Sequence, residues 1–504
     1  MSLETLRQIL VKDWAVAFAL FLLVLVMRLP FQSRILYHWD SVNFSYAIRE
    51  FSVAKEQPQA PGYIVYVWLT RLVDAAVHNA QSTMVSISIV SSALAVVALF
   101  YLGRSMFGQI TGLIAALFLA TSPLFWFYGE IALPHTLDTL LVIVSAWWLY
   151  ETMRGDYRYL YPAIVVVTIA GGIRQQTLVF LAPLLLFALR HVGWRRFWSA
   201  GVLGVLICLA WFIPLIVLTD GLSNYVRVTS EFTRRFQSAT SILLGAGWPG
   251  VRHNLLKLVP YTLYGSSVTL IPAVVYTVTR LWRRDWPRSW AKLFFLLLWM
   301  APALAFYTLI HMGQQGLIFV YLPALLLFSG LGLARLLGAR SYWLPALTVI
   351  MVLLNAGVFL LIPEYPMGPA SQRVLTRATL INSDHYYQDR FEAIAKSFPV
   401  ESTVILAANW HHVEYYLPEY TTLHFNVDGT NSSAHFTPAK LGLRPMPDGQ
   451  VVIVIFDPEL RAFNQTVKLV KVQTLPDGDQ LEYVVMESSD QLYLDANSFG
   501  LLSD

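Results

Sequence analysis

The chain has 504 residues, of which 56% are hydrophobic and 13% charged, with a formal net charge of +4. Soluble domains carry about 25% charged residues, which excludes a soluble globular protein. A mean hydropathy of +0.54 indicates a polytopic membrane protein instead. Cys208 is the single cysteine, so an intramolecular disulfide is excluded too.

Trp14 to Pro30, preceded by Arg7 and Lys12, reads as an uncleaved first membrane span. Further apolar runs follow at about 84–102, 109–127, 133–150, 160–173, 177–190, 199–219, 256–279, 292–310, 317–334 and 342–362. A bilayer core takes about 20 helical residues to cross, so these predict about 11 transmembrane helices. The loops carrying Arg104, Arg154 and Arg158, Arg190 to Arg196, Arg280 to Lys292 (with Arg288), and Arg335 and Arg340 alternate with loops poor in cations. Positive loops stay inside. The pattern therefore predicts a cytoplasmic N-terminus, a plasma-membrane location, and an extracytoplasmic C-terminal region.

Tyr63 to Val77 contains Arg71 and Asp74 and is short for a crossing, so it is expected to lie at the outer interface. Ser41 to Lys55 places Phe44, Ala47, Ile48 and Phe51 at helical spacing. The first outer loop thus predicts two juxtamembrane helices joined at the Pro58–Gly62 turn. Asp220 to Arg252 predicts an interfacial helix followed by a glycine-rich turn. Residues 1–362 form the membrane domain of this reading and 363–504 a soluble α/β domain. In the latter, Ser383 is expected to cap a helix through Phe391 and Ile394. Thr403–Ala407, Val451–Phe456, Val467–Val472 and Tyr483–Met486 are expected strands.

The unusual polar residues fall on the outer side: Asp40, Glu130, His135, Asp138, Arg174, Gln175, Gln176, His311, Gln314 and Gln315. Ionisable groups at bilayer depth are costly and mark function by default. Each also has a bland reading. Asp40 can serve as the cap of a helix starting at Ser41, Glu130 and Arg174 can pair with each other, and His311 can be an interfacial histidine. Glu130, His135 and Asp138 offer oxygen and nitrogen ligands without compact metal spacing, so no metal site is assigned and a divalent cation, Mg²⁺ or Mn²⁺, stays open.

Trp39-Asp40 after the first span, Pro61-Gly62-Tyr63 after a polar turn, and an acidic residue after the third span resemble the GT-C glycosyltransferases. More narrowly they are similar to the protein O-mannosyltransferase and lipid A aminoarabinose transferase group. The resemblance implies a GT-C-like polytopic domain and transfer of a sugar from a polyprenyl-phosphate donor to a hydroxyl acceptor at the outer membrane face. It implies Asp40 as catalytic base, Glu130 or Asp138 as second acid, and Arg174 and His311 facing phosphate. Gln175, His135, Gln59 and Tyr63 complete the substrate-binding candidates. Two departures stand out: Asp40-Ser41 where many relatives have Asp-Glu, and Gln59-Ala60 where relatives often carry a basic residue and a proline.

The chemistry asks for such residues independently. Transfer to a hydroxyl needs a base on the acceptor and positive charge on the leaving phosphate. One base with in-line displacement predicts inversion. A transporter or flippase would show inverted repeats, and none is visible. An O-antigen-type ligase or polymerase would use Arg234 and Arg235 but leave the Asp40 loop unexplained. Nothing in the chain indicates a nucleic-acid partner.

Overall fold

The computed structural model describes residues 12–284, 290–338, 341–364, 366–367, 372–425, 433–465, 470–487 and 489–502. Arg7, Arg288, Arg340 and positions 467–469 of the expected strand Val467–Val472 lie outside the described residues. Two compact units are present. One comprises Met1–Ser33 and Phe44–Leu380, the other Arg34–Asn43 and Ile381–Asp504.

In the first unit every expected apolar run is helical. In chain order the helices are α1 (Asp13–Arg28), α2 (Trp39–Arg49), α3 (Ile64–Val77), α4 (Ala80–Phe107), α5 (Gln109–Thr121), α6 (Pro123–Gly129), α7 (His135–Met153), α8 (Leu160–Ile173) and α9 (Gln175–Leu189). They continue as α10 (Trp194–Val217), α11 (Leu222–Gln237), α12 (Gly247–Ser266), α13 (Ile271–Arg283), α14 (Ala291–Leu309), α15 (Leu322–Leu337) and α16 (Trp343–Leu361). Among the described residues six helices are long and apolar enough to cross a membrane, or seven if the bent pair α5–α6 is one span. Shorter apolar helices cover Tyr157–Ile173, Gln175–Leu189 and Leu322–Leu337.

The two helices expected in the loop after the first apolar run are α2 and α3. Between them the Gln57–Pro58 and Ala60–Pro61 bonds are both cis. The helix expected in the Asp220 to Arg252 loop is α11, whose mean composition is polar and which ends in Arg234 and Arg235. These loop helices thus follow from turn residues and helical spacing alone.

Packing centres on α4, which meets α1, α5 and α7. The α4–α5 hairpin closes where a Cβ on Gly103 would lie 2.6 Å from the Cα of Gly112, so both positions must stay small for the helices to approach. Ser88 Oγ donates to Leu133 O at 3.1 Å, and Thr136 Oγ1 donates to Ser88 O at 3.0 Å, which locks the start of α7 against α4. The 63° bend between α5 and α6 falls at Ser122-Pro123. Proline suits a first helical position and cannot continue the helix before it.

The second unit contains most of α17 (Arg377–Ser397), then α18 (Trp410–Tyr416). Ser383 lies inside α17 and is not its cap, a correction that follows because the helix starts six residues earlier. After a short ribbon, β1 (Pro366–Met367) and β2 (Gln372–Arg373), in the first unit, the strands are β3 (Thr403–Ala407), β4 (Thr421–His424), β5 (Ala434–Phe436), β6 (Gln450–Ile455), β7 (Lys471–Thr474), β8 (Gln480–Glu487), β9 (Gln491–Leu494) and β10 (Phe499–Leu502). The main sheet runs β4-β3-β6-β8-β7, with β3 parallel to β4 and β6, and the other pairs antiparallel. β3 and nearly all of β6 are buried on both faces, as expected of parallel strands covered on both sides.

One core of this unit joins Tyr387, Phe391 and Ile394 of α17 to Ile405, Val452 and Val454. Arg390, fully buried, donates to Phe456 O at 3.2 Å and pairs with Asp479 at 2.5 Å, so its charge is matched. Burial pushes His412 down to about 3. It is therefore a neutral imidazole, and its Nε2 lies 2.7 Å from Leu36 O.

Candidate functional site

Asp138 sits in the first turn of α7, and Arg174 directly precedes α9. Arg174 Nη1 lies 3.3 Å from Asp138 Oδ2, with both side chains almost wholly buried. Thr177 Oγ1, in the first turn of α9, donates to Asp138 Oδ1 at 2.8 Å, and Arg174 Nη2 donates to Gln176 at 3.1 Å. The side chains of Tyr307 on α14 and of Tyr63 stand near the guanidinium. A buried ion pair survives only when such extra hydrogen bonds offset its desolvation. This one joins α7 to the α8–α9 junction.

Gln175 continues the network outward. Its Nε2 lies 2.8 Å from Tyr225 Oη on α11, and Tyr225 Oη donates to Pro61 O at 3.3 Å. The Pro58–Gly62 turn is thereby tied to α9 and α11. Gln59 is buried in that turn, and its backbone carbonyl accepts from Gly62 N at 3.0 Å. Tyr63 precedes α3 with φ +41°, a left-handed conformation unusual for a tyrosine, and its ring meets Phe44 edge-on at 5.1 Å. Such backbone conformations persist where the surroundings over-determine them, and they cluster at functional sites.

Glu130 does not pair with Arg174, which corrects the bland reading for both. Its neighbouring charge is Arg28, at the end of α1. Both are fully buried. Arg28 Nη2 donates to Ala120 O at 2.9 Å, its guanidinium lies 4.9 Å from the centre of the Trp126 ring, and a Cβ on Gly129 would strike its Nε at 2.8 Å. Glycine at 129 is what lets Arg28 lie across the α5–α6 break. His135 meets Tyr128 edge-on at 4.9 Å. Arg174 and Thr177 occupy both oxygens of Asp138. Among the described residues no three metal-capable side chains group together.

His311 follows α14, and its Nδ1 lies 3.0 Å from Thr240 Oγ1. Burial, reinforced by the like charges of Lys257 and His253, pushes it down to about 4. Near neutral pH the His311 ring is therefore uncharged, and a bound anion would favour its protonated form. Lys257 and His253 carry no signal of their own in the sequence, since α12 reads as an ordinary apolar run there.

Asp40 belongs to the second compact unit. The helix-cap reading for it is corrected: α2 begins at Trp39, Ser41 N donates to His38 O at 2.8 Å, and Asp40 lies within the first turn. His38 takes the capping role instead, its Nδ1 accepting from Asp40 N at 3.1 Å. That nitrogen therefore carries no proton, and burial of the ring lowers its pKa to about 4. The imidazole 3.5 Å from the Asp40 carboxylate is neutral. Sequence reasoning named this stretch but gave His38 no role.

Residues 58–218, less than half of the chain, match the family described as dolichyl-phosphate-mannose-protein mannosyltransferase. Among solved structures, ArnT from Cupriavidus metallidurans bound to undecaprenyl phosphate is similar at a TM-score of 0.55 and 14% identity, over 94% of this chain and 97% of that one. ArnT in the apo state gives 0.55 and 15% over the same shares. The archaeal oligosaccharyltransferase AglB from Archaeoglobus fulgidus, in complex with an inhibitory peptide and a dolichol-phosphate, gives 0.50 and 12%, over 94% of this chain and 74% of that one. No curated protein sequence matches. At these identities the structural likenesses speak for the fold.

The Arg174–Asp138 contact predicts a stability effect that goes beyond ligand binding. Removing one member strands a buried charge, so Arg174→Ala should cost roughly 3–5 kcal/mol. Adding Asp138→Asn should recover much of that loss. Thermal unfolding of the single and double variants in detergent checks it. An Arg174→Ala protein as stable as wild type would show the pair to be structurally idle.

Proposed function

We propose that the chain is a GT-C superfamily membrane glycosyltransferase, a reading supported by the family match over 58–218 and the ArnT-like fold, and that it moves a sugar from a polyprenyl-phosphate donor to a hydroxyl acceptor with inversion. The observation that carries this reading is the buried carboxylate of Asp40 in the first turn of α2, directly after the first span. The solved relatives that carry undecaprenyl phosphate or dolichol-phosphate support the donor class. The family matched over 58–218 supports a phosphate-linked sugar as well.

In the proposed reaction the acceptor hydroxyl gives its proton to the Asp40 carboxylate. Its oxygen forms the new bond to the anomeric carbon as the bond from that carbon to the phosphate oxygen breaks. The bonding pair leaves with the polyprenyl phosphate. The charge that develops there needs fixed positive partners. Lys257 is the cation assigned to it, with His311 and His253 beside it, while Arg174 holds Asp138 and through Gln175 the Pro61 turn. Gln59 and Tyr63 of that turn are assigned to substrate contact, and Glu130 to balancing Arg28. No step is routed through a metal.

The basic loops on the opposite side of the alternation support a reaction at the outer face, with the second unit extracytoplasmic. In a Cys208→Ala background, Lys440→Cys should react with an impermeant maleimide on intact cells, and Arg195→Cys should not. The reverse labelling would overturn the orientation and the outer-face location together.

Asp40→Asn preserves shape but cannot take the acceptor's proton. General-base contributions are on the order of 10²–10⁴-fold, so transfer from a labelled polyprenyl-phosphate donor should nearly vanish while donor affinity is kept. An Asp40→Asn enzyme of normal rate would remove Asp40 as base.

A further inference from the structure

The segment just before Asp40 is held almost atom by atom by the C-terminal part of the chain. The Asp384 carboxylate on α17 accepts from Arg34 N at 3.0 Å and from Ile35 N at 3.1 Å. Tyr416 Oη, at the end of α18, accepts from Leu36 N at 3.0 Å, and His412 Nε2–H donates to Leu36 O at 2.7 Å. The Ile35 side chain is part of the core built by Tyr387, Phe391 and Phe456. The Trp39 ring meets His411 edge-on at 5.3 Å.

Four side chain to backbone bonds within three residues form a template. Loops usually satisfy their backbone with water or with their own turn bonds. Here donors and acceptors more than 340 residues away do so. The His412 tautomer is fixed by the contact, because Leu36 O can only accept. Its partner ring is Tyr387, stacked at 4.2 Å and 14°, which sets the imidazole plane.

We infer that Asp384, Tyr416 and His412 are positioning residues for the reaction: the C-terminal α/β unit is the cradle that fixes the Arg34–Leu36 segment and, through the His38 cap, aims Asp40. This rests on the reading of Asp40 as base. A general base must sit within hydrogen-bond reach of the proton it takes, so a segment free to drift would lose rate without losing donor binding. The C-terminal unit thereby has a catalytic purpose that holds whether or not it touches substrate.

The test uses the full-length protein in detergent or nanodiscs, with Tyr416→Phe, Asp384→Asn and His412→Ala, and with His412→Gln as the conservative replacement that keeps a donor. Two quantities are read: amide hydrogen exchange of the peptide spanning Arg34 to Asp40, and kcat and KM for donor in a transfer assay. Exchange should speed up in Tyr416→Phe and His412→Ala, kcat should fall by roughly two- to tenfold per lost bond, and donor KM should hold. His412→Gln should recover part of both. Since His412 is buried, His412→Ala can fail to fold. Tyr416→Phe, which removes one oxygen from a half-buried ring, then carries the test. Unchanged exchange, or faster exchange at full kcat in Tyr416→Phe, would overturn the cradle. Asp40→Asn run alongside separates the readings: if it is active while the cradle variants are slow, the base assignment falls and the positioning role stands.

Discussion

A charge that leaves water must find a partner, and the buried Arg174–Asp138 pair meets that constraint. It takes two of the ionisable groups that a membrane interior penalises most. The pair joins α7 to the α8–α9 junction, and Arg28, through its bond to Ala120 O, joins α1 to the α5–α6 break. Pro123 permits the bend, Gly129 makes room for Arg28, and Thr177 as donor and Gln176 as acceptor complete the Arg174–Asp138 network.

This division of labour explains the chemistry that is left. Charges locked in pairs hold helices, and so they serve geometry. Burial keeps the His311 ring uncharged beside Lys257 and His253, and an anion bound there would favour its protonated form. Asp40 stands beside an imidazole kept neutral by its own cap, so the carboxylate is not neutralised from that side. The same logic reaches the C-terminal unit, where neutral His412 holds a backbone carbonyl without adding charge near Asp40.

The helical architecture was legible because a bilayer leaves few options: runs of apolar residues between basic loops must be helices, and every one of them is. The juxtamembrane helices were legible as well, since Phe44, Ala47 and Ile48 repeat at helical spacing and the proline-rich turn separates them from Tyr63. Strands β3 and β6 announced themselves as short apolar runs. Pairing was not legible. Arg174 finds Asp138 across 36 positions, and Arg28 reaches Ala120 O across 92. No local pattern encodes such matches. Local rules also misassigned two caps: an aspartate before a serine suggested a cap at Asp40, yet His38 performs it. Ser383 suggested a helix start that lies at Arg377. Least visible was the allegiance of Arg34–Asn43, because a ten-residue segment within a membrane loop gives no hint that it completes a domain encoded more than 300 residues later.

The central claim is one carboxylate, one displacement. A single base acting on the acceptor, with the sugar leaving polyprenyl phosphate in the same step, fixes the stereochemistry without reference to which sugar is moved. The anomeric configuration of the product, read by NMR against that of the donor, tests this most directly. The account predicts inversion at the anomeric carbon. Retention would require a second displacement on a covalent or ion-paired intermediate and would contradict it.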